Sequence, residues 1–394
     1  MGTASTTKQL LKKLTSCVYV FSGGIGLFSA YNIYNENEKF YEAIVLPAVH
    51  KLNPETAHNL GVITSKYKLL PKTKYVDGNS LATEVWGLKF KNPIGMAAGF
   101  DKQGEAVEGL HDIGFGFVEV GSVTPQPQPG NSKPRVFRLT ENQAIINRYG
   151  FNSDGHDEVY KRLESLKQNK TFNGVLGINL GKNKESSDPV DDYVKGIKLF
   201  GEIADYLVIN ISSPNTPGLR DWQRKEQLEE LLRQVVAARN SLPGTHKPPL
   251  LVKLAPDLTA NEKKDIAQVL TKPECAVDGL VISNTTVGRD GLTGPYKQES
   301  GGLSGAPLSG ASTELIAEMY SATKGKIPII GVGGVFSGED AYNKILAGAS
   351  LIQLYTAFIY HGPPRVTRIK KELDDLLQKD GFKSVSEAVG KGVK

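Results

Sequence analysis

The sequence predicts an α/β fold, a (β/α)8 barrel with an N-terminal helical extension and a membrane anchor. Three observations lead there. First, eight near-continuous apolar runs, at 93–98, 115–121, 174–179, 205–211, 249–254, 278–283, 327–331 and 350–354, alternate with helical stretches such as Lys225 to Asn240 and Thr313 to Thr323. Runs that are apolar throughout belong to parallel strands buried on both faces, and eight is the number that closes a barrel. Second, the 394 residues hold a barrel of ~250 residues with appendages. Third, several runs end in polar residues, as in Val208-Ile209-Asn210-Ile211-Ser212-Ser213-Pro214-Asn215-Thr216 and Leu280-Val281-Ile282-Ser283-Asn284-Thr285-Thr286. Strand tips of a rigid scaffold are where chemistry sits. A doubly wound sheet is the alternative, and the lack of a Gly-x-Gly-x-x-Gly after an early strand weighs against it.

Taken in order, residues 1–35 carry no Asp or Glu, while Lys8, Lys12 and Lys13 are basic, a composition that fits mitochondrial targeting. From Cys17 to Tyr34 the chain is mostly apolar, slightly short of the ~20 apolar residues of a full span, and a single transmembrane anchor is expected. A cleaved presequence and a secretory core are the alternatives, and Met1-Gly2 with Thr6 also matches a myristoylation pattern. Residues 36–71 read as two short amphipathic helices broken at Asn53-Pro54, with Asn53 as N-cap and Pro54 in the first helical position. Such a pair either forms an apolar entrance on a bilayer surface or covers the barrel. Residues 72–394 form the barrel domain, opened by a hairpin over Ala82 to Phe90. The glycine clusters Gly301-Gly302-Leu303-Ser304-Gly305 and Gly331-Val332-Gly333-Gly334 read as tight turns.

A formal net charge of +5, with no basic block interleaved with aromatics, argues against a nucleic-acid partner. Cys17 and Cys275 form neither a metal-ligand spacing nor a disulfide framework, the six histidines make no His-x-x-x-His pair, and no metal is expected.

The strand ends suggest a ring and a phosphate. Gly334 and Tyr355-Thr356 follow the seventh and eighth runs, where barrels bind phosphate through backbone N–H groups, and Gly305 adds an amide. Ala97, Ala98 and Gly99 are small enough to lie against a flat heteroaromatic ring, and Asn179, Asn210 and Ser283 offer donors and acceptors to its edge. Lys253 would place a cation beside a ring that gains negative charge on reduction, or else pair with a buried carboxylate. Ser212-Ser213-Pro214-Asn215 reads equally as a helix cap or a catalytic cluster.

Five segments, Ala97-Ala98-Gly99-Phe100-Asp101-Lys102, Gly121-Ser122-Val123-Thr124-Pro125, Asn147-Arg148-Tyr149-Gly150-Phe151-Asn152, Asn210-Ile211-Ser212-Ser213-Pro214-Asn215-Thr216 and Ser283-Asn284-Thr285-Thr286, closely resemble the FMN-dependent dihydroorotate dehydrogenases. The likeness runs from about Phe40 to the C-terminal region. Ser213 stands where class 1 enzymes carry cysteine, and with the helical extension it points to class 2, the membrane-associated, quinone-reducing type.

The resemblance implies oxidation of (S)-dihydroorotate to orotate in pyrimidine synthesis, with FMN as hydride acceptor and ubiquinone as final acceptor, by a monomer anchored in inner mitochondrial membrane lipid. It implies Ser213 as the base at C5. It places Lys102, Asn147, Arg148, Tyr149, Gly150, Phe151, Asn210, Asn215, Asn284 and Thr285 around the pyrimidine. Ala97, Ala98, Gly99, Lys102, Ser122, Asn147, Asn179, Asn210, Lys253 and Ser283 would hold the flavin ring and ribityl chain, and Gly305, Gly334, Tyr355 and Thr356 the phosphate. His58, Arg138 and Tyr355 would line a quinone tunnel. A serine hydroxyl is a poor base near neutrality, so a relay through Thr216 or water is expected. Gly218-Leu219-Arg220 permits a mobile lid over 212–222. The competing readings are a soluble class 1 relative using fumarate or NAD, a flavin barrel acting on RNA uridines, and an inactive barrel serving as a binding protein.

Overall fold

The computed structural model describes residues 2–169, 172–245 and 247–393. Eight parallel strands close into a barrel in sequence order: β1 Ile94–Met96, β2 Phe117–Val123, β3 Val175–Leu180, β4 Tyr206–Asn210, β5 Leu250–Leu254, β6 Gly279–Ile282, β7 Ile329–Val332 and β8 Ala349–Leu354. Each overlaps one predicted run. The helix expected over Lys225 to Asn240 has those bounds, while the one expected from Thr313 begins at Ser309. Its first turn, Ser309-Gly310-Ala311-Ser312, lacks the apolar periodicity from which a start is read.

Successive side chains of a strand point to opposite faces, so each barrel strand feeds two cores. Val118, Leu176, Leu207, Ile209, Val252, Leu280 and Ile352 face outward into the layer shared with the helices. Phe117, Val175, Tyr206, Val208, Leu251, Val281, Ile330 and Leu351 face inward. Two large aromatics fit that narrow interior because glycines lie beside them. A Cβ on Gly177 would come within 2.1 Å of the Tyr206 ring, and one on Gly95 within 2.4 Å of Phe117. The predicted hairpin forms as Thr83–Val85 paired with Leu88–Phe90, turning through Trp86 and Gly87, both with positive φ. It stoppers the N-terminal mouth: Trp86 Nε1 donates to the Asp278 carbonyl at 2.7 Å, and Phe90 packs edge-on against Phe117 with ring centroids 5.4 Å apart.

One sequence expectation changes here. Gly302–Gly305 is not a turn; it belongs to a small antiparallel sheet in which Ala144–Asn147 is the centre strand between Val136–Leu139 and Gly302–Gly305. The outer strands come from the β2 and β6 connections, far apart in sequence, so no local pattern announces the pairing. This sheet roofs the C-terminal end of the barrel over its own small core of Phe137, Leu139, Ala144, Ile146, Leu292 and Leu303.

The N-terminal segment is one helix, α1, Gly2–Tyr34, of which Gln9–Tyr34 is long and apolar enough to cross a membrane. The helix α2, 38–50, contains a π-helical turn at Tyr41–Val45, and α3 is Pro54–Lys66. Asn53 caps α3 by accepting from the Glu55 N–H at 3.0 Å, with Pro54 first in the helix, as expected. The Arg365 guanidinium holds α2 through Glu38 at 2.7 Å and Glu42 at 2.9 Å. The Arg135 guanidinium holds α3 through a two-pronged pair with Glu55, at 2.8 and 3.2 Å. Burial alone would push the Glu55 carboxyl up, but Arg135 and Lys133 hold it below its ordinary range. Ile44, Leu52, Leu60, Ile63, Tyr67 and Leu69 remain exposed on the outer surface of this pair.

Because Glu55 and Arg135 are both buried, losing one partner strands the other. Glu55→Gln is expected to lower unfolding free energy by about 3 kcal/mol and to release the extension early in limited proteolysis. A urea-unfolding loss below about 1 kcal/mol would show that this pair does not fasten the extension.

Candidate functional site

The strand tips open into a cavity of about 300 Å³ that runs outward between α2 and α3. A smaller cavity of about 70 Å³ adjoins it along the tips of β7 and β8, sharing Ala98, Lys253, Asn284, Thr285, Tyr355 and Thr356. Inward parity at the tips of four strands delivers Asn179, Asn210, Lys253 and Ser283.

The larger cavity gathers Ala98, Gly99, Lys102, Ser122, Asn147, Tyr149, Gly150, Phe151, Asn210, Ser213, Asn215, Lys253, Asn284 and Thr285, with His58, Arg138 and Tyr355 toward the helical extension. The smaller one adds Ala97, Ser283, Gly305 and Gly334 to Thr356. Two predicted residues do not border either cavity. Arg148 turns to Glu299, with 2.6 Å between its guanidinium and the carboxylate, and lies over the Phe137 ring. Asn179 lies one layer below the cavity, fully buried, holding Asn210 and Ser122 from beneath.

The amides form a connected set. Asn284 Nδ2 donates to Asn210 Oδ1 at 3.3 Å and to Ser212 Oγ at 2.9 Å, and Asn215 Nδ2 donates to Asn147 Oδ1 at 3.3 Å. The Ser213 hydroxyl oxygen accepts from the Asn215 N–H at 3.2 Å, and the Thr216 hydroxyl is buried without a partner among the described residues. No histidine or carboxylate hydrogen-bonds Ser213 among the described residues. Arg220 ties the 212–222 loop down, donating to the Ser212 carbonyl at 3.0 Å and the Thr285 carbonyl at 2.7 Å and pairing with Asp257 at 2.7 Å.

Lys102 links this end to the extension. Its ammonium donates to the Gly99 carbonyl at 2.5 Å, lies 4.1 Å from the Tyr149 ring centre and meets His58 Nε2 at 3.3 Å, while His58 Nδ1 meets the Tyr355 hydroxyl at 3.1 Å. Burial, then the Arg135 charge, push the Lys102 ammonium down to about 7. Burial and Lys102 together push His58 well down, so its ring is neutral near pH 7. A neutral His58 that accepts from Lys102 at Nε2 carries its proton on Nδ1 and donates it to Tyr355. Arg138 borders the cavity but donates to the carbonyls of His50, at 2.5 Å, and Leu52, at 2.8 Å, and so closes the C-terminal end of α2.

At the β7 and β8 end the backbone is shaped by glycine. Gly334 has φ +69°, and a Cβ there would stand 2.5 Å from Ser309 Cα, so the turn lies tight against that helix. Such a glycine turn suits a phosphate, and the amides with Lys253 suit a ring that accepts charge. Sequence reasoning missed Glu119, Gln353, Arg220 and the Glu55–Arg135 pair. Glu119 and Gln353 were legible in principle, as single polar residues at inward positions of the runs Phe117-Val118-Glu119-Val120 and Leu351-Ile352-Gln353-Leu354. The ion pair between α3 and the β2 connection has no sequence signal.

Comparison with known proteins matches this geometry to one family. The family model described as "Dihydroorotate dehydrogenase" matches residues 80–377. The mitochondrial dihydroorotate dehydrogenase (quinone) of Mus musculus is 54% identical over 389 residues, covering 97% of this chain and 98% of its own. The dihydroorotate dehydrogenase (quinone) of Parvibaculum lavamentivorans is 49% identical, covering 88% and 97%. Among solved structures, ligand-free DHODH from Eimeria tenella superposes with a TM-score of 0.84 at 43% identity, over 86% of this chain and 99% of that one. The ferulenol complex of the same enzyme gives 0.83 at 42% identity, over 87% and 98%. With a matching fold, a matching family model and relatives aligned over nearly their whole length, this chain belongs to the dihydroorotate dehydrogenase family.

Proposed function

We infer that this chain oxidises (S)-dihydroorotate to orotate and passes the two electrons to ubiquinone, with FMN as its bound cofactor, at the inner mitochondrial membrane. The observation that carries this reading is a single cavity in which Ser213, Lys102 and the asparagine set lie at one end and an apolar passage between α2 and α3 at the other. Residues 1–35 serve as targeting segment and anchor, 36–71 as the quinone-access pair, and 72–394 as the FMN-binding barrel. The exposed Ile44, Leu60, Ile63 and Leu69 give the passage an apolar surround that suits contact with lipid.

Bound FMN supplies the hydride acceptor and later the electrons for the quinone. The chain supplies the rest. Lys102 faces the substrate carboxylate, and Asn147, Asn210, Asn215 and Asn284 grip the amide edges of the pyrimidine. Ser213 Oγ takes the C5 proton. Its oxygen already accepts one backbone N–H, which narrows the directions left to its own O–H, and Thr216 or a water takes the released proton onward. The glycine turns with Gly305, Gly334 and Thr356 hold the phosphate. His58, Tyr355 and Arg138 border the quinone.

Ser213→Ala is expected to leave the protein yellow but to cut flavin reduction by dihydroorotate ~10²–10⁴-fold, the usual share of a positioned base. Unchanged turnover in stopped-flow would remove Ser213 from the mechanism. Arg138→Ala should raise the KM for quinone severalfold while flavin reduction in a single turnover keeps its rate. Equal slowing of both half-reactions would refute the tunnel assignment. Lys102 has its ammonium pushed down to about 7, so it is cationic below that pH and neutral above it. Orotate, an anion, should therefore bind tightest below about pH 7 and more weakly as pH rises, as read by flavin difference absorbance. Constant affinity from about pH 6 to 9 would take the Lys102 charge out of substrate binding.

A further inference from the structure

One buried ionisable group has no part in the mechanism above. Glu119, in the middle of β2, points into the barrel and exposes no surface. Its carboxylate accepts from Asn179 Nδ2 at 2.8 Å, Gln353 Nε2 at 2.7 Å and the Tyr206 hydroxyl at 3.3 Å, and lies 4.0 Å from the Lys253 ammonium. A carboxylate at that depth costs several kcal/mol unless donors and an opposite charge surround it. Four strands supply them here, which is more than packing requires.

We propose that Glu119 is a positioning residue that fixes the direction of the amide chain Asn179–Asn210–Asn284 and keeps the Lys253 cation in place beneath the flavin. The proposal rests on the flavin reading of the cavity. An ionised carboxylate only accepts, so Asn179 must turn its NH2 group down to it. Asn179 Oδ1 then points up, where it accepts from Ser122 Oγ and, at 3.2 Å, from Asn210 Nδ2. Asn210 Oδ1 is thereby left to accept from the Ser212 N–H at 3.2 Å and from Asn284 Nδ2 at 3.3 Å. With Asn179 reversed, its NH2 would face the NH2 of Asn210. A lone asparagine has two nearly equivalent orientations; the acid at the base of the chain removes that freedom from Asn179, and the N–H groups of Ser212 and Thr285 hold Asn210 and Asn284 in the directions that match it. For Lys253 the charge of Glu119 opposes burial: burial pushes the ammonium down and Glu119 pushes it up.

The test uses the FMN-loaded, full-length enzyme and Glu119→Gln, which keeps shape and removes charge. The wild type is first titrated with FMN and dihydroorotate. A wild type that binds no flavin defeats the flavin reading itself, separately from the role of Glu119. In the variant, the Lys253 ammonium loses the opposite charge that opposes its burial and holds it in place, so less positive charge stays beneath the flavin and its midpoint potential at pH 7 should fall. Orotate should bind about tenfold more weakly, the worth of one lost charge-assisted hydrogen bond. Glu119→Asp should recover part of both, and Lys253→Met should lower the potential with no further fall on adding Glu119→Gln. An unchanged or raised potential with wild-type orotate affinity would overturn the proposal. If Glu119→Gln fails to fold, the comparison passes to Glu119→Gln/Lys253→Met against Lys253→Met, and a further fall in potential there would overturn it.

Discussion

Closing eight parallel strands leaves an interior only wide enough for side chains, and the period of two along each strand decides which residues enter it. The lower interior takes Phe117, Tyr206, Leu251 and Val281 as an apolar filling, sealed from below by the Trp86–Phe90 hairpin. The same parity, continued upward, brings Asn179, Asn210, Lys253 and Ser283 to the tips. A shift of one residue in any strand would move its polar tip outward into the helix layer and its apolar neighbour into the site. Site geometry is therefore a by-product of barrel packing, and the two cannot vary independently.

Most of the barrel was legible in the sequence because each strand is a local apolar run, and the Asn53-Pro54 break was legible because caps are local chemistry. The roof sheet was not. Its strands are four residues long, one is half glycine, and Gly302 to Gly305 finds its partner Ala144 to Asn147 about 155 residues earlier. The site divides the same way. Residues at strand tips, such as Ser213, Lys253 and Asn284, announce themselves by interrupting an apolar pattern. Arg148 is embedded in the Asn147–Asn152 segment, but it lies just past the strand that ends at Asn147, and it turns to Glu299. Arg220 is an arginine in a polar loop until the fold sets Ser212, Asp257 and Thr285 around it.

Three cations near the cavity are matched to a carboxylate on a different element: Lys253 to Glu119, Arg135 to Glu55, Arg220 to Asp257. Lys102 is not. It lies among carbonyl, imidazole and aromatic partners, with no carboxylate in salt-bridge contact among the described residues. A cation without a counter-ion is what an anionic substrate would complete, and its depressed ammonium is the physical signature of that vacancy of charge.

The Glu55–Arg135 clasp ties the extension to the loop beside Ser213. Arg135 also donates to the carbonyls of Pro129 and Asn131, and Asn131 in turn donates to the carbonyl of Asn215 beside the serine. The two short helices and the barrel thus share a keystone. They are not a portable cassette: grafted to a barrel lacking that arginine, they would bring a buried acid without its two-pronged partner.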